Sequence, residues 1–233
     1  MIGVELLDDP RAAPEAVRAE LRDIAVLNSL FGGVRAVVGA LQPFFATGAS
    51  AGAREWTLVD VGTGLGDIPR AAARAARRHG ITLRLVGIER NRAAARAARD
   101  LNGGLGLKSV LADGGRLPLA SGSVDVAIAS QVLHHLAPEV AVRFIQELST
   151  VARSAVVIAD LRRSRVAMAG VWLASFPLGF GAVTRRDAVL SLRRGYTRGE
   201  LNTLLDAAGV KAVARYRPGF RVVAAWAPGA PGS

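Results

Sequence analysis

From residue 56 to residue 159, short apolar runs alternate with amphipathic stretches rich in alanine and arginine. The apolar runs at 56–61, 83–88, 107–111, 124–129 and 155–159 read as strands. The stretches at 67–79, 91–101 and 138–151 repeat apolar residues at helical spacing and read as helices. This alternation predicts βαβ units and a parallel sheet covered on both faces. Asp67, with Pro69 just inside, opens one helix and Gly80 closes it.

Outside that block the pattern changes. Residues 11–45 read as helical, with Val17, Leu21, Ile24, Ala25 and Leu27 at apolar positions and a break at Phe31-Gly32-Gly33. Thr197-Arg198-Gly199-Glu200 is a capping box that opens a helix running to Gly209. Two apolar runs, 210–216 and 220–226, flank Arg217-Pro218-Gly219 and read as adjacent antiparallel strands at the end of the sheet. The tail 228–233 is expected to fray. No repeat is visible. The expectation is one α/β domain over 1–233: an N-terminal helical lid (1–50), a core (51–160), a helical insert after the fifth strand (161–195), and a C-terminal helix with a strand pair (196–228).

Composition narrows the function classes. The chain has 233 residues, 51% of them hydrophobic and 21% charged, enough for a domain with a real core. Its formal charge of +11 would attract polyanions. The basicity is diffuse, however: Lys108 and Lys211 are the only lysines, and the arginines are scattered among alanines. No aromatic-rich basic platform appears, which argues against nucleic acid as a partner. The absence of cysteine excludes disulfides, thiol catalysis and cysteine-ligated zinc. The N-terminus, MIGVELLDDP, is acidic where an export signal would be basic, so a cytoplasmic location is expected. Residues 166–184 carry no charge and reach the ~18-residue threshold for a membrane span. Pro177 and three glycines dilute that stretch, so a lid over substrate is expected, with contact at a membrane surface left open.

The chemistry begins at Val59-Asp60-Val61-Gly62-Thr63-Gly64-Leu65-Gly66-Asp67, which joins a strand to a helix through glycines at alternate positions. Such a loop lets the backbone turn tightly and approach a ligand at the positive end of a helix. The spacing departs from the dinucleotide fingerprint, and an acid right after the loop suits a cation better than a diphosphate. Glu89 follows the second strand, where a carboxylate can accept hydrogen bonds from both ribose hydroxyls. Asp113 follows the third strand and can accept one from the adenine amino group.

Together VDVGTGLGD, GIER and LADGGRLPLASGSVDVAIASQVLHHL are similar to the class I S-adenosylmethionine-dependent methyltransferases, particularly the small-molecule group of ubiquinone/menaquinone-type enzymes. The resemblance covers residues 56–160. It implies a Rossmann-like seven-stranded, mostly parallel sheet with the last strand antiparallel, and S-adenosyl-L-methionine as cofactor. It also implies Gly62, Gly64 and Gly66 against the methionine portion, Glu89 on the ribose and Asp113 on the adenine. Asp60, Thr63, Arg90, Gly114, Ser130 and Gln131 complete the expected cofactor set. Asp160 to Ser164, and Arg185-Arg186-Asp187 with Ser191 and Arg194, also resemble methyltransferases found beside bacterial polyketide biosynthesis.

Methyl transfer needs an aligned nucleophile and, for a hydroxyl, a base. Only His79, His134 and His135 offer an imidazole. His79 ends a helix away from the strand tips and is expected to be solvated. His134 and His135 follow the fourth strand at the carboxyl edge. By the resemblance His135 is the first choice of base and His134 the alternative. Asp160 and Arg162, at the tip of the fifth strand, are expected to hold a polar group of the substrate. Trp172 and Phe176 are expected to line its apolar pocket, with Leu27, Phe31, Leu41, Phe44 and Phe45 helping to roof it. No metal is expected, since no ligand-spaced carboxylates and histidines stand out.

The expected function is therefore methyl transfer to a small hydrophobic acceptor, a phenolic or enolic hydroxyl of a polyketide- or quinone-like molecule, by a monomer or homodimer. The alternatives are an RNA or protein methyltransferase recruited by basic surface, an N- or C-methyltransferase of a small molecule, or a cofactor-binding subunit without turnover.

Overall fold

The computed structural model describes residues 5–9, 11–102, 106–113 and 115–229. The strands are β1 (Glu55–Val61), β2 (Thr82–Glu89), β3 (Leu107–Leu111), β4 (Val124–Ser130), β5 (Ala152–Leu161), β6 (Arg215–Arg217) and β7 (Arg221–Trp226). The helices are α1 (Pro14–Leu30), α2 (Gly33–Ser50), α3 (Asp67–Arg77), α4 (Arg92–Asn102), α5 (Pro138–Val151), α6 (Arg165–Ala174), α7 (Ala182–Arg194) and α8 (Arg198–Ala207). Short 3₁₀ turns occupy Leu6–Asp8 and Leu133–His135.

All the strands join one sheet in the order β3-β2-β1-β4-β5-β7-β6. Strands β1 to β5 are mutually parallel, and β7 runs antiparallel to β5 and β6. The strand order reverses between β1 and β4, which opens a crevice at their carboxyl ends. The fold is the expected Rossmann-like sheet with antiparallel strands at one end.

The continuous apolar runs exist because both faces are covered. Val59, Ala127, Ala129, Val156 and Ile158 pack against Phe144, Ile145 and Leu148 of α5 and Leu201 and Leu205 of α8. Their sequence neighbours Leu58, Val126, Ile128 and Val157 point the other way, onto Leu41 and Phe45 of α2 and Ala72 and Ala75 of α3. Val17 and Leu21 of α1 pack on Leu65 and on Ala94 and Ala97 of α4, so α1 lies over the glycine loop. The Arg217-Pro218-Gly219 turn meets the α1–α2 break: a Cβ on Gly219 would stand 1.9 Å from the Phe31 carbonyl oxygen.

Two expectations change. Residues 210–214 do not join a strand: the Ala214 N–H donates to Asn202 Oδ1 at 2.8 Å, which ties this segment to α8 and leaves only Arg215–Arg217 for β6. His79 is half-buried and paired with Gln42 at 2.7 Å, so it is not simply solvated. The uncharged stretch 166–184 forms a helical hairpin, because Pro177 and the glycines at 179 and 181 break it between α6 and α7. Among the described residues no single helix is long and apolar enough to cross a membrane. The glycine turn at 103–105, Gly114 and the end of the tail at 230–233 lie outside the described residues.

Candidate active site

The loop after β1 is held by backbone geometry that only glycine adopts readily. Gly62, Gly64 and Gly66 have φ of 74°, 51° and 72°. A Cβ on Gly62 would come within 2.5 Å of Val132 Cγ2, so the close approach also excludes any side chain there. Gly62 N–H donates to the Ile88 carbonyl at 2.8 Å, which pins the loop to the tip of β2. There Glu89 accepts from Gly64 N–H at 3.4 Å and Asn91 N–H at 3.1 Å. Burial raises the Glu89 pKa despite these donors and Arg90.

Asp60 is buried near the end of β1, and its Oδ1 has no hydrogen-bond partner among the described residues. Burial, with the charges of Asp67 and Glu89, pushes it well above the carboxylate range against the opposing Thr63 hydroxyl. Gln131, at the tip of β4, is a non-glycine residue with φ of 58°. That strained conformation is held by its N–H on the Ala159 carbonyl at 2.8 Å and its side-chain amide on Asn28 Oδ1 at 2.5 Å.

These residues open onto a cavity of about 270 Å³. It is lined by Asp60, Gly62, Thr63, Gly64, Glu89, Arg90, Asp113, Ser130 and Gln131, which are the expected cofactor residues except two. Gly66 does not line it; it is the N-cap of α3 and shapes the loop from behind. Gly114 lies outside the described residues. A cradle without side chains, a buried carboxyl with one oxygen unpartnered among the described residues and a ring of acids fit a ligand carrying vicinal hydroxyls and cationic groups. S-adenosylmethionine has both.

His134 and His135 line the same cavity, with ring centroids 4.2 Å apart. His134 is buried, and its Nδ1 lies 2.7 Å from Asp160 Oδ1. Burial opposes ionisation of Asp160, but His134 and the Leu161 N–H outweigh it, so the Asp160 pKa falls. An ionised Asp160 only accepts, so in this pair His134 donates from Nδ1 and not from Nε2. That Nε2 has no hydrogen-bond partner among the described residues. His135 differs: its Nδ1 faces Asp8 at 3.2 Å and its Nε2 lies 3.7 Å from Glu5. Burial lowers its pKa, yet the Asp8 hydrogen bond and the charges of Glu5 and Asp8 raise it further, for a net rise.

Several lining residues escaped the sequence reading. Glu5, Asp8 and Glu20 reach the cavity from the N-terminus, beside Asp187 and Ser191 of α7. Arg194 donates to Glu5 at 3.0 Å and to Asp8 at 3.3 Å, and Ser191 donates to Glu5 at 2.8 Å. Burial and the charges of Asp187 and Glu5 push Glu20 up to about 8. Asn28 Nδ2 donates to Asp67 at 3.3 Å, while its Oδ1 accepts from Gln131 and from the buried Arg221. Burial brings Arg221 down to about 10 against the charges of Asp160 and Asp67. The visible signal was an unpaired polar residue, Asn28, inside an apolar helical pattern. Glu5, His134 and His135 each offer a donor atom, all within 4.8 Å of one another, although Glu5 is already held by Arg194 and Ser191.

The expected substrate residues are not gathered at the cavity. Asp160 stands behind His134 and does not line it. The Arg162 guanidinium lies 4.1 Å from the Tyr216 ring centre, on the β6 side. Trp172 and Phe176 meet edge to face at 4.9 Å on the outer surface of the hairpin, because its inner positions are taken by Ala167, Gly170 and Val171. Of the expected roof, Leu27 and Phe31 line the cavity, whereas Leu41 and Phe45 are packed in the core beneath the sheet, with Phe44 beside them.

Residues 59–159 match the family described as "Methyltransferase domain". No curated protein sequence matches the chain. Among solved structures it is similar to human N-acetylserotonin methyltransferase in complex with S-adenosylmethionine, at 12% identity and a TM-score of 0.64, covering 94% of this chain and 57% of that one. Magnesium protoporphyrin IX methyltransferase from Synechocystis PCC 6803 is similar at 16% identity and a TM-score of 0.53, over 84% of this chain and 81% of that one. A methyltransferase from Aquifex aeolicus, described as dependent on S-adenosylmethionine, matches at 17% identity and a TM-score of 0.54, covering 73% and 80%. The motif, the cavity and these matches agree: residues 59–159 match a methyltransferase domain, and the sheet that carries them has the fold of S-adenosylmethionine-dependent methyltransferases.

Proposed function

We propose that the protein transfers a methyl group from S-adenosylmethionine to the hydroxyl of a small hydrophobic acceptor, phenolic or enolic, as in polyketide- or quinone-like molecules. The cofactor supplies an electrophilic methyl on a sulfonium. The loop and Glu89 orient it, and the cavity walls exclude water from the transfer. One observation carries the hydroxyl reading: His134, which lines the cavity, is paired with the buried Asp160, and its Nε2 has no hydrogen-bond partner among the described residues. It supports His134 as the group that removes the acceptor proton, in place of His135, whose raised pKa favours the protonated form.

A second observation supports a second reading. Glu5, Asp8, Glu20 and Asp187 bring four carboxyl groups to the cavity, an environment that favours an acceptor bearing an amine. Incubation with labelled S-adenosylmethionine and paired phenol and aniline acceptors, with mass spectrometry of the products, tests both. Methylated phenols support the first reading. Exclusive methylation of nitrogen would replace it with the second.

A further inference from the structure

The α6–α7 hairpin presents opposite faces to two environments. Its inner side, with Ala167, Gly170, Val171 and Asp187, lines the cavity. Its outer side exposes Val166, Trp172, Leu173, Phe176, Leu178 and Val183, with Val166 71% and Leu173 61% accessible. On α6 the positions 165, 166, 169, 172 and 173 follow helical spacing, and 176 continues that spacing into the turn, so the exposed apolar residues form one stripe. A contiguous apolar surface of this kind is uncommon on a domain that touches only water.

Along the sequence, the charges that flank the stripe have one sign. Between Asp160 and Asp187 the sequence holds five arginines and no acid: Arg162, Arg163, Arg165, Arg185 and Arg186. Arg185 stacks over the Phe176 ring at 3.8 Å, and Phe176 meets Trp172 edge to face, so guanidinium, phenyl and indole form one continuous surface. Arg163 is neutralised by Glu200. Arg165 and Arg186 are exposed, and no carboxylate pairs with either among the described residues. Aromatic residues with an apolar body, rimmed by arginine, match the boundary between headgroups and acyl chains of an anionic lipid surface.

We propose that the outer face of the α6–α7 hairpin docks the protein on an anionic membrane surface, with Trp172, Leu173 and Phe176 entering the interface and Arg165 and Arg186 facing the headgroups. The contact is peripheral: the exposed stripe is one side of a short helix and its turn. It turns the hairpin into a wall between the bilayer and the cavity.

The test is partition of the full chain onto vesicles. Trp56 and Trp226 are buried, so Trp172 is the tryptophan that reports the surroundings of the hairpin. Vesicles of phosphatidylcholine with phosphatidylglycerol should bind the protein and shift its fluorescence to the blue, and raised salt should weaken the binding. Pure phosphatidylcholine should bind far less. Arg165→Gln with Arg186→Gln should lower partition on the anionic vesicles by roughly thirtyfold. Leu173→Ser with Phe176→Ser should abolish the blue shift. Both double variants should keep the wild-type melting temperature and its affinity for S-adenosylhomocysteine, which separates this surface from the cofactor site. Absence of partition on anionic vesicles would overturn the proposal, as would equal partition of wild type and variants, or equal binding to neutral vesicles. Sedimentation showing a dimer that Leu173→Ser disrupts, without vesicle binding, would overturn it in favour of a second copy of the chain.

Discussion

His134 Nδ1 stands 2.7 Å from Asp160 Oδ1, and the two side chains are 2% and 0% exposed. One residue lies in the turn after β4 and the other near the end of β5, so two neighbouring parallel strands bring the pair together at the carboxyl edge. A carboxylate buried this deeply is tolerated only with a partner, and here the partner is an imidazole whose other nitrogen has no hydrogen-bond partner among the described residues.

His134→Ala should lower turnover by ~10²–10⁴-fold while leaving cofactor affinity nearly unchanged. His135→Ala should cost much less. The loss at His134 should shrink for acceptors with an acidic hydroxyl, because an ionised nucleophile needs only alignment. Turnover measured across a phenol series of graded acidity checks this. A flat response, or a larger loss for His135→Ala, would remove His134 from the role.

Glu20 gives a pH signature. Its carboxyl is pushed up to about 8 by burial and the charges of Asp187, Glu5 and Asp23, from an ordinary value of 4.5. A group raised in the folded state contributes its stability fully below the unfolded value and loses it as pH climbs through the folded one. Wild type should therefore lose several degrees of melting temperature relative to Glu20→Gln between about pH 5 and about pH 9. Parallel melting curves across that range would contradict the assignment.

Asn28 joins α1 to Asp67, Gln131 and Arg221. Asn28→Ala should strand these buried groups and destabilise the protein by about 1–3 kcal/mol, read by chemical denaturation. A change within error would show that the network does not hold α1.

Turnover should survive chelation. Glu5 could join His134 and His135 around a cation, yet Arg194 and Ser191 already occupy its carboxylate. Activity lost to a chelator and restored by a divalent metal would show that the cluster holds an ion.

The legible parts of this protein are local in sequence. The β1 loop, Glu89 and Asp113 each stand at or just after the end of a strand, so the alternation of apolar runs was enough to put them at one edge of the sheet. Thr197 and Glu200 form their capping box within one turn of chain. What the sequence hid depends on distant contacts: Gln131 meets Asn28 across 103 positions, His135 meets Asp8 across 127, and Arg194 meets Glu5 across 189. No periodicity carries that information. Trp172 and Phe176 were expected inside by their apolarity, but the small residues of α6 turn inward and leave the aromatics outside. The pairing of the two histidines was hidden for a related reason. Adjacent positions cannot reveal which one meets Asp160, 26 residues further on.

The central claim is that the cavity at the β1 and β2 tips binds S-adenosylmethionine. Calorimetric titration with S-adenosylhomocysteine tests it most directly. Wild type should bind in the micromolar range. Gly64→Arg should not bind, because its backbone sits at φ of 51° and its side chain would fill the cradle. Glu89→Ala should bind more weakly by about 1–3 kcal/mol, through loss of hydrogen bonds to an acid. Absence of binding by folded wild type, or equal affinities for all three proteins, would contradict the account.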